Sequence, residues 1–421
     1  MSGANSEPRR TTLPNGLQVV SEHMPASRTF SIGIFAGVGS RHESPALHGA
    51  SHFLEHVLFK GTTRRTAEEI SAAVEAVGGE LNAYTTKEYT CFYARVLRSD
   101  ATLAVDVLTD MITSSRVTAE DLDAERAVIQ DEIAMHADDP GEVVQEVVAG
   151  RVFAGSGLGR PVIGSPASIA ALTRDQVVRH WHRHYTPPSL VVAAAGHVDH
   201  DRLVDQLSVL DGRPSGPLPK KDRPTRAAGR GGLVSEQRRV EQCSAVLAYP
   251  SPGLFDDARY PLGLLSLIVG GGMASRLFVE VRERRGLTYG IDAGETTYSD
   301  AGLWSVDWQC APDKLAEIVD LVRATLAEVA EHGVTEAELA RAKGQMRGQT
   351  VLSYESPSSR MSRLGGNTVL GDQRTLSEVL DHFDTVEAGQ VQAAAAELFA
   401  LPPVLGLVGP RVPAKLLRDW N

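Results

Sequence analysis

His52-Phe53-Leu54-Glu55-His56 reads H-x-x-E-H, and the rest of the chain is organised around it. On a helix, positions i and i+4 share a face, so His52 and His56 can point at one ion. Glu55, at i+3, leans the same way. Two imidazoles suit zinc, and a carboxylate beside them can take a proton from a water that the metal has acidified. The same five residues could also make an ordinary polar helix face. The flanking sequence has to decide between the two.

Upstream, Phe30 to Val38 is rich in Ile and Phe and predicts a strand, which Gly37, Gly39 and Ser40 end. Ser44 to Lys60 has a helical pattern and carries the His/Glu group. Before these, Pro14-Asn15-Gly16 between two short runs over Thr11 to Val20 predicts a hairpin. Downstream, Thr66 and Glu69 form a capping box that opens a second helix, and Gly78-Gly79 stops it. Leu81 to Val96 is dense in Thr, Tyr, Phe and Val and predicts a strand. Ala101 to Ser114 is an apolar helix. Another runs from Thr118 to about His136, where Asp139-Pro140-Gly141 breaks it.

A catalytic zinc site needs a third protein ligand, and Glu55 must stay free to act as base. The Thr118–His136 helix offers Glu125 and Glu132. They are seven residues apart, two turns, and so share a face. Helical spacing alone leaves both as candidates.

With 421 residues the chain is long for one core, which points to two domains. Hydrophobic content of 42% and charged content of 23% are those of an ordinary globular protein. A formal charge of −11 argues against nucleic-acid binding, which needs a basic stripe. Cys91, Cys243 and Cys310 are scattered, with no C-x-x-C, so neither a disulfide framework nor a cysteine zinc site is expected. Met1 to Asn15 has no apolar core of a secretory signal, and no run is long enough to span a membrane. A cytoplasmic location is the simplest expectation.

A Pro-rich, basic segment over 213–232 reads as a linker and divides the chain into residues 1–212 and 233–421. The two parts look related. Val117-Thr118-Ala119-Glu120-Asp121-Leu122 resembles Val334-Thr335-Glu336-Ala337-Glu338-Leu339, an offset of 334 − 117 = 217. That offset sets Gln349 opposite Glu132 and Ala342 opposite Glu125, so the second half lacks the carboxylates and is expected to hold no metal. The order of elements predicts α+β: two duplicated domains, each a mostly antiparallel sheet with helices on one face.

Several long motifs in order carry a closer likeness. They are Leu13-Pro-Asn-Gly-Leu17, Gly49-Ala-Ser-His-Phe-Leu-Glu-His-Val-Leu-Phe-Lys-Gly61 and Gly79-Glu-Leu-Asn-Ala-Tyr-Thr-Thr-Lys-Glu88. The Glu125/Glu132 pair follows, then Gly271-Gly-Met-Ala-Ser-Arg-Leu-Phe-Val-Glu-Val-Arg-Glu-Arg-Arg-Gly-Leu-Thr-Tyr289. Over nearly its whole length the chain resembles the pitrilysin/insulinase family of zinc metallopeptidases, whose H-x-x-E-H signature is called inverzincin. Its short, two-domain form is similar to the mitochondrial processing peptidase.

The resemblance implies a zinc endopeptidase that cleaves peptides or unfolded, presequence-like segments. In the family the third ligand is a Glu about 76 residues beyond the second His; here 132 − 56 = 76, so Glu132 takes that role and Glu125 supports the ligands. One Zn2+ per chain is implied, with Glu55 as general base. Arg282 and Tyr289 are implied to contact substrate and to help hold the oxyanion. The Leu81–Val96 stretch is implied to bind substrate as an added strand, with Asn82 and Ala83 nearest the scissile bond. Carrying both the metal half and the Arg/Tyr half, the chain is expected to form a homodimer around a closed chamber, Arg282 and Tyr289 reaching the opposite chain's zinc. A heterodimer with a metal-free partner is a further possibility. The rival from another class is a non-catalytic structural subunit of a larger complex, like the core proteins of the respiratory bc1 complex. Those generally lose the metal motif, which is intact here. His180, His182 and His184 invite a second metal site, but a spacing of two sets neighbours on different helix faces, and core or surface roles are expected.

Overall fold

The computed structural model describes residues 7–210, 216 and 231–420. Most of the 213–232 linker and the first six residues of the chain, on which part of the signal-peptide reading rests, lie outside those residues. Eleven strands are described. They are β1 (Arg9–Thr12), β2 (Gln18–His23), β3 (Thr29–Ala36), β4 (Glu80–Thr85), β5 (Thr90–Leu97), β6 (Leu190–Gly196), β7 (Gly232–Gln237), β8 (Cys243–Ser251), β9 (Ile291–Thr297), β10 (Gly302–Cys310) and β11 (Val404–Gly409). They form two sheets, ordered β1-β2-β6-β3-β5-β4 and β7-β11-β8-β10-β9. The helices of the first part of the chain are α1 (Ala50–Leu58), α2 (Ala67–Glu75), α3 (Ala101–Ser114), α4 (Ala119–Asp138), α5 (Pro140–Val152), α6 (Pro166–Ala171), α7 (Arg174–His184) and α8 (His200–Gln206). Those of the second are α9 (Arg259–Val269), α10 (Leu315–His332), α11 (Glu336–Ser353), α12 (Pro357–Leu370), α13 (Leu376–Thr385), α14 (Ala388–Phe399) and α15 (Ala414–Asp419). No described helix is long and apolar enough to cross a membrane.

The α+β class stands, and the sheets carry the mark of duplication. With β1 set aside, the orders correspond strand for strand. Each sheet has a single parallel pair at the same place, β2 with β6 and β11 with β7, and is otherwise antiparallel. The helix starts matched by sequence are also capped alike. Thr118 Oγ1 accepts from the Asp121 N–H at 3.1 Å, and Thr335 Oγ1 from the Glu338 N–H at 3.2 Å.

Two expectations change. The stretch from Leu81 to Val96 is not one strand but two, β4 and β5, paired as a hairpin from Glu80↔Arg95 to Thr85↔Thr90. The turn hides among good strand formers. Thr86 makes it with its own hydroxyl, which accepts from the N–H groups of Glu88 (3.2 Å) and Tyr89 (3.0 Å). The hairpin leaves β4 at the edge of its sheet.

Helices also cover both faces of the sheets, and the compact units do not follow the chain in simple succession. Of the described residues, one unit is built of 7–133, 160–210, 216 and 352–373, the other of 134–159, 231–351 and 374–420. In the first, strand residues Ile32 and Ile34 face a core shared with Phe53, Leu54, Val107 and Leu108. The alternate residue Phe35, with Val20, Cys91 and Val191, faces the other way, against Met361 and Leu364 of α12. Gly365 permits the close approach, because a Cβ there would lie 2.0–2.4 Å from the Phe35 ring. In the second unit, Val144 and Val148 of α5 cover Val246, Ala248 and Val408 in the same way.

A buried ion pair fastens α12 to the first sheet. The Arg360 guanidinium pairs with Glu22 on β2, and its Nε donates to the Tyr354 carbonyl at 2.6 Å. The Tyr354 hydroxyl donates to the second Glu22 oxygen at 2.9 Å, so the carboxylate is satisfied on both sides. Arg360→Met would leave Glu22 buried without its counter-charge, and should destabilise this unit by about 3–5 kcal/mol in urea unfolding. Adding Glu22→Gln should restore much of the loss. Equal stability of Arg360→Met and wild type would mean that the pair holds nothing.

Candidate metal centre

The metal helix is α1. Its start is fixed by Gly49, the residue preceding it, which has φ +90°, a left-handed conformation that favours glycine. The regular helix therefore begins at Ala50 rather than near Ser44, and a short 3-10 turn, Pro45–Leu47, precedes it. Sequence reading missed Glu43, whose carboxylate accepts from the N–H groups of Gly49 and Ser51, both at 2.7 Å. It satisfies two of the donors that a helix start leaves open. Burial pushes the Glu43 carboxyl up to about 7, against the pull of those two hydrogen bonds. At six residues before the residue that precedes the helix, no capping-box spacing would have found it. Ser51 Oγ is tied in turn to His180 Nε2 at 3.1 Å. His180 is thus a core residue of α7, while His182 stacks on Trp181.

From this anchored start, His52 and His56 fall on one face with ring centroids 4.6 Å apart. Helix α4 crosses nearby, held by Arg126, whose guanidinium lies 5.3 Å over the Phe53 ring and donates to the Leu172 carbonyl. Glu132 Oε2 then lies 3.6 Å from His52 Nε2 and 3.5 Å from His56 Nε2. These three residues form the one His/Cys/Asp/Glu group among the described residues whose ligand atoms all lie within 4.8 Å of one another. A tetrahedral zinc with bonds of about 2.0–2.1 Å has ligand–ligand edges of about 3.4 Å. The donor set therefore fits zinc in chemistry and in spacing.

Glu125, two turns back on α4, takes the other edge of the same imidazole. Its Oε2 is 2.9 Å from His56 Nδ1, and its Oε1 is 2.5 Å from Lys60 Nζ. A proton on Nδ1 donated to this carboxylate leaves the Nε2 lone pair for a cation. Glu125 is 5% exposed and committed to that contact. Of the two carboxylates that helical spacing left open, Glu132 is the one that faces both Nε2 atoms.

Glu55 accepts a 2.5 Å hydrogen bond from the Thr85 hydroxyl on β4. Burial raises its pKa; the Thr85 bond and the His56 charge oppose the shift, and Glu132 adds to it. A raised pKa suits a proton acceptor working near neutrality. Edge strand β4 runs past this carboxylate. Ala83, two residues from Thr85, packs against the helical core, while Tyr84 joins the opposite face. By the same alternation the Asn82 side chain turns away from α1; it caps its neighbour locally, accepting from the Ala83 N–H at 2.8 Å.

In the second unit, Arg282 lies on a π-helical turn, Phe278–Glu283. Its guanidinium is stacked between two rings, 4.6 Å from Phe278 and 5.4 Å from Tyr289. Tyr289 is 90% exposed. At the positions matching Glu125 and Glu132 stand Ala342, buried, and Gln349.

The chain is also similar to known proteins. Residues 18–165 match the family described as Insulinase (Peptidase family M16), and residues 171–346 match the Peptidase M16 inactive domain. An uncharacterized zinc protease of Streptomyces coelicolor is 45% identical over 96% of this chain and 89% of its own length. One of Mycobacterium leprae is 42% identical over 97% and 93%. Among solved structures, a peptidase M16 inactive domain from Pseudomonas fluorescens superposes with a TM-score of 0.89 at 21% identity, covering 97% of this chain and 99% of that one. That last likeness speaks for the fold alone.

Proposed function

We propose that this chain, which belongs to the insulinase family of zinc peptidases (family M16), is a zinc-dependent endopeptidase acting on extended peptides. The observation that carries the reading is the convergence of His52, His56 and Glu132 at tetrahedral spacing with the Glu55 carboxylate beside them. Bound there, zinc would supply Lewis acidity, polarising a scissile carbonyl and lowering the pKa of water to roughly 7.

The protein's own groups do the rest. Glu55 takes the proton of the attacking water on a carboxylate oxygen, and later hands it to the leaving amine, so one residue serves both transfers. Thr85 holds Glu55 in place through its 2.5 Å hydrogen bond. Glu125 fixes the tautomer and orientation of His56. Edge strand β4 offers unpaired backbone groups to which a substrate strand adds, giving affinity that tolerates varied sequences. Folded proteins present few such strands, so unfolded or presequence-like segments are the substrates. Arg282 and Tyr289 supply donors for the oxyanion in a homodimer whose chains complete each other's sites.

The test is metal analysis of the purified protein together with an unbiased cleavage profile on a mixed peptide library. About one zinc per chain and internal cleavages that stop on chelation and return with zinc are expected. Zinc content without any cleavage would remove the enzyme reading and favour a structural subunit.

A further inference from the structure

A second polar site lies at the far end of the first sheet. The register brings its walls together. His23 ends β2 and pairs with Gly196, Gly196 pairs with Phe30, and Arg98 follows Leu97, which pairs with Thr29. Backbone bonds close this rim, from the His197 N–H to the Thr29 carbonyl at 2.9 Å and from the Arg98 N–H to the Arg28 carbonyl at 3.1 Å. The other wall is α3 and α8, clamped where Arg202 and Gln206 both donate to Thr102 Oγ1 at 3.0 Å. Between them lies a cavity of about 560 Å³, within the roughly 300–1,000 Å³ usual for small-molecule sites. The metal centre is at the opposite end of these strands, where Ala36 pairs with Thr90 and Thr90 with Thr85. The six-residue span of β3 from Phe30 to Ala36 separates the two ends by about 20 Å.

Many of the lining groups are already committed. Arg9 is paired in a fork with Asp201, at 2.7 and 3.0 Å. The Asp199 carboxylate accepts from the Arg202 N–H at the start of α8. His200 uses both ring nitrogens, on Thr11 and Ser21, and burial lowers its pKa, with the nearby Arg9 charge adding to the effect. The lining cations left without a carboxylate partner among the described residues are Arg98 and Arg202. Arg98 has no ion pair among the described residues, and Arg202 spends its guanidinium only on a hydroxyl. His23 donates Nδ1–H to the Val198 carbonyl and meets His197 edge-on, with ring centroids 5.2 Å apart. His197 Nδ1 is enclosed and finds no partner. The acids of the lining are Asp199, which keeps its charge while accepting the Arg202 N–H, and solvent-exposed Glu7 at the rim.

We infer that this cavity binds a small phosphate-type anion, a phosphomonoester or free phosphate, gripped by Arg98 and Arg202. Two guanidinium forks match tetrahedral oxyanions by geometry as well as by charge, and the site is separate from the peptidase centre.

Isothermal titration of the full zinc-loaded chain tests this, with inorganic phosphate as probe against chloride at equal ionic strength. Saturable binding at millimolar phosphate is expected. Arg98→Ala, which disturbs no described ion pair, should weaken it by roughly tenfold or more. The variant keeps the metal residues, so phosphate drawn to zinc would bind both proteins alike. Tighter binding of glycerol 3-phosphate than of inorganic phosphate would make an organic phosphoester the occupant, and the reverse order would make it free phosphate. No saturable binding, or equal affinity in wild type and Arg98→Ala, overturns the assignment without touching the peptidase reading.

Discussion

Glu55→Gln should lower kcat for peptide cleavage by about 10²–10⁴ while leaving zinc content unchanged. The substitution keeps the shape of the side chain and can still take the Thr85 hydrogen bond. It removes only the ability to hold a proton. Because the Glu55 oxygens are not among the converging ligand atoms, the metal should stay. KM should move little if, as proposed, substrate affinity rests on backbone pairing along β4. The measurement is steady-state cleavage of a quenched peptide beside metal analysis of the same sample. A variant that loses zinc in step with activity would make Glu55 a ligand. One that keeps full activity would leave the reaction without its base.

Glu132→Gln should weaken zinc binding by more than the roughly 10–100-fold that follows loss of a group merely supporting a ligand. Glu125→Gln should fall within that smaller range. The two carboxylates make a controlled pair, being on the same helix, seven residues apart, and both directed at His56. They differ in which ring nitrogen they meet, Glu132 at Nε2 and Glu125 at Nδ1. Competition with a chromophoric chelator measures both affinities. If Glu125→Gln lost zinc outright and Glu132→Gln kept it, the ligand would have been assigned to the wrong turn of α4.

That pair also marks how far sequence reading reached. Helical spacing placed His52, Glu55 and His56 on one face, and they are there, because i and i+4 are fixed by helix geometry alone. The same rule could not rank Glu125 against Glu132, since it carries no information on what faces α4. Resemblance supplied the choice, and the distances agree with it. Glu43, Thr85 and the bond from His180 to Ser51 were missed for a related reason. Each reaches α1 from another element, and no local pattern announces a contact made across the fold. The Leu81–Val96 stretch failed differently. Its β-forming side chains are real, but the reversal at Thr86 to Tyr89 is made by hydroxyl groups that also read as strand. The exchanged helices α5 and α12 were invisible because an apolar helix face looks the same whichever sheet it covers.

The placement of α12 has a consequence for synthesis on the ribosome. Ala195, the last strand residue beneath that helix, emerges 361 − 195 = 166 residues before Met361. At about 5–20 residues per second, the apolar side of the nascent sheet waits roughly 10–30 s for its cover. Neither half can be completed while the other is unmade, so the apolar side of the first sheet stays open for that interval.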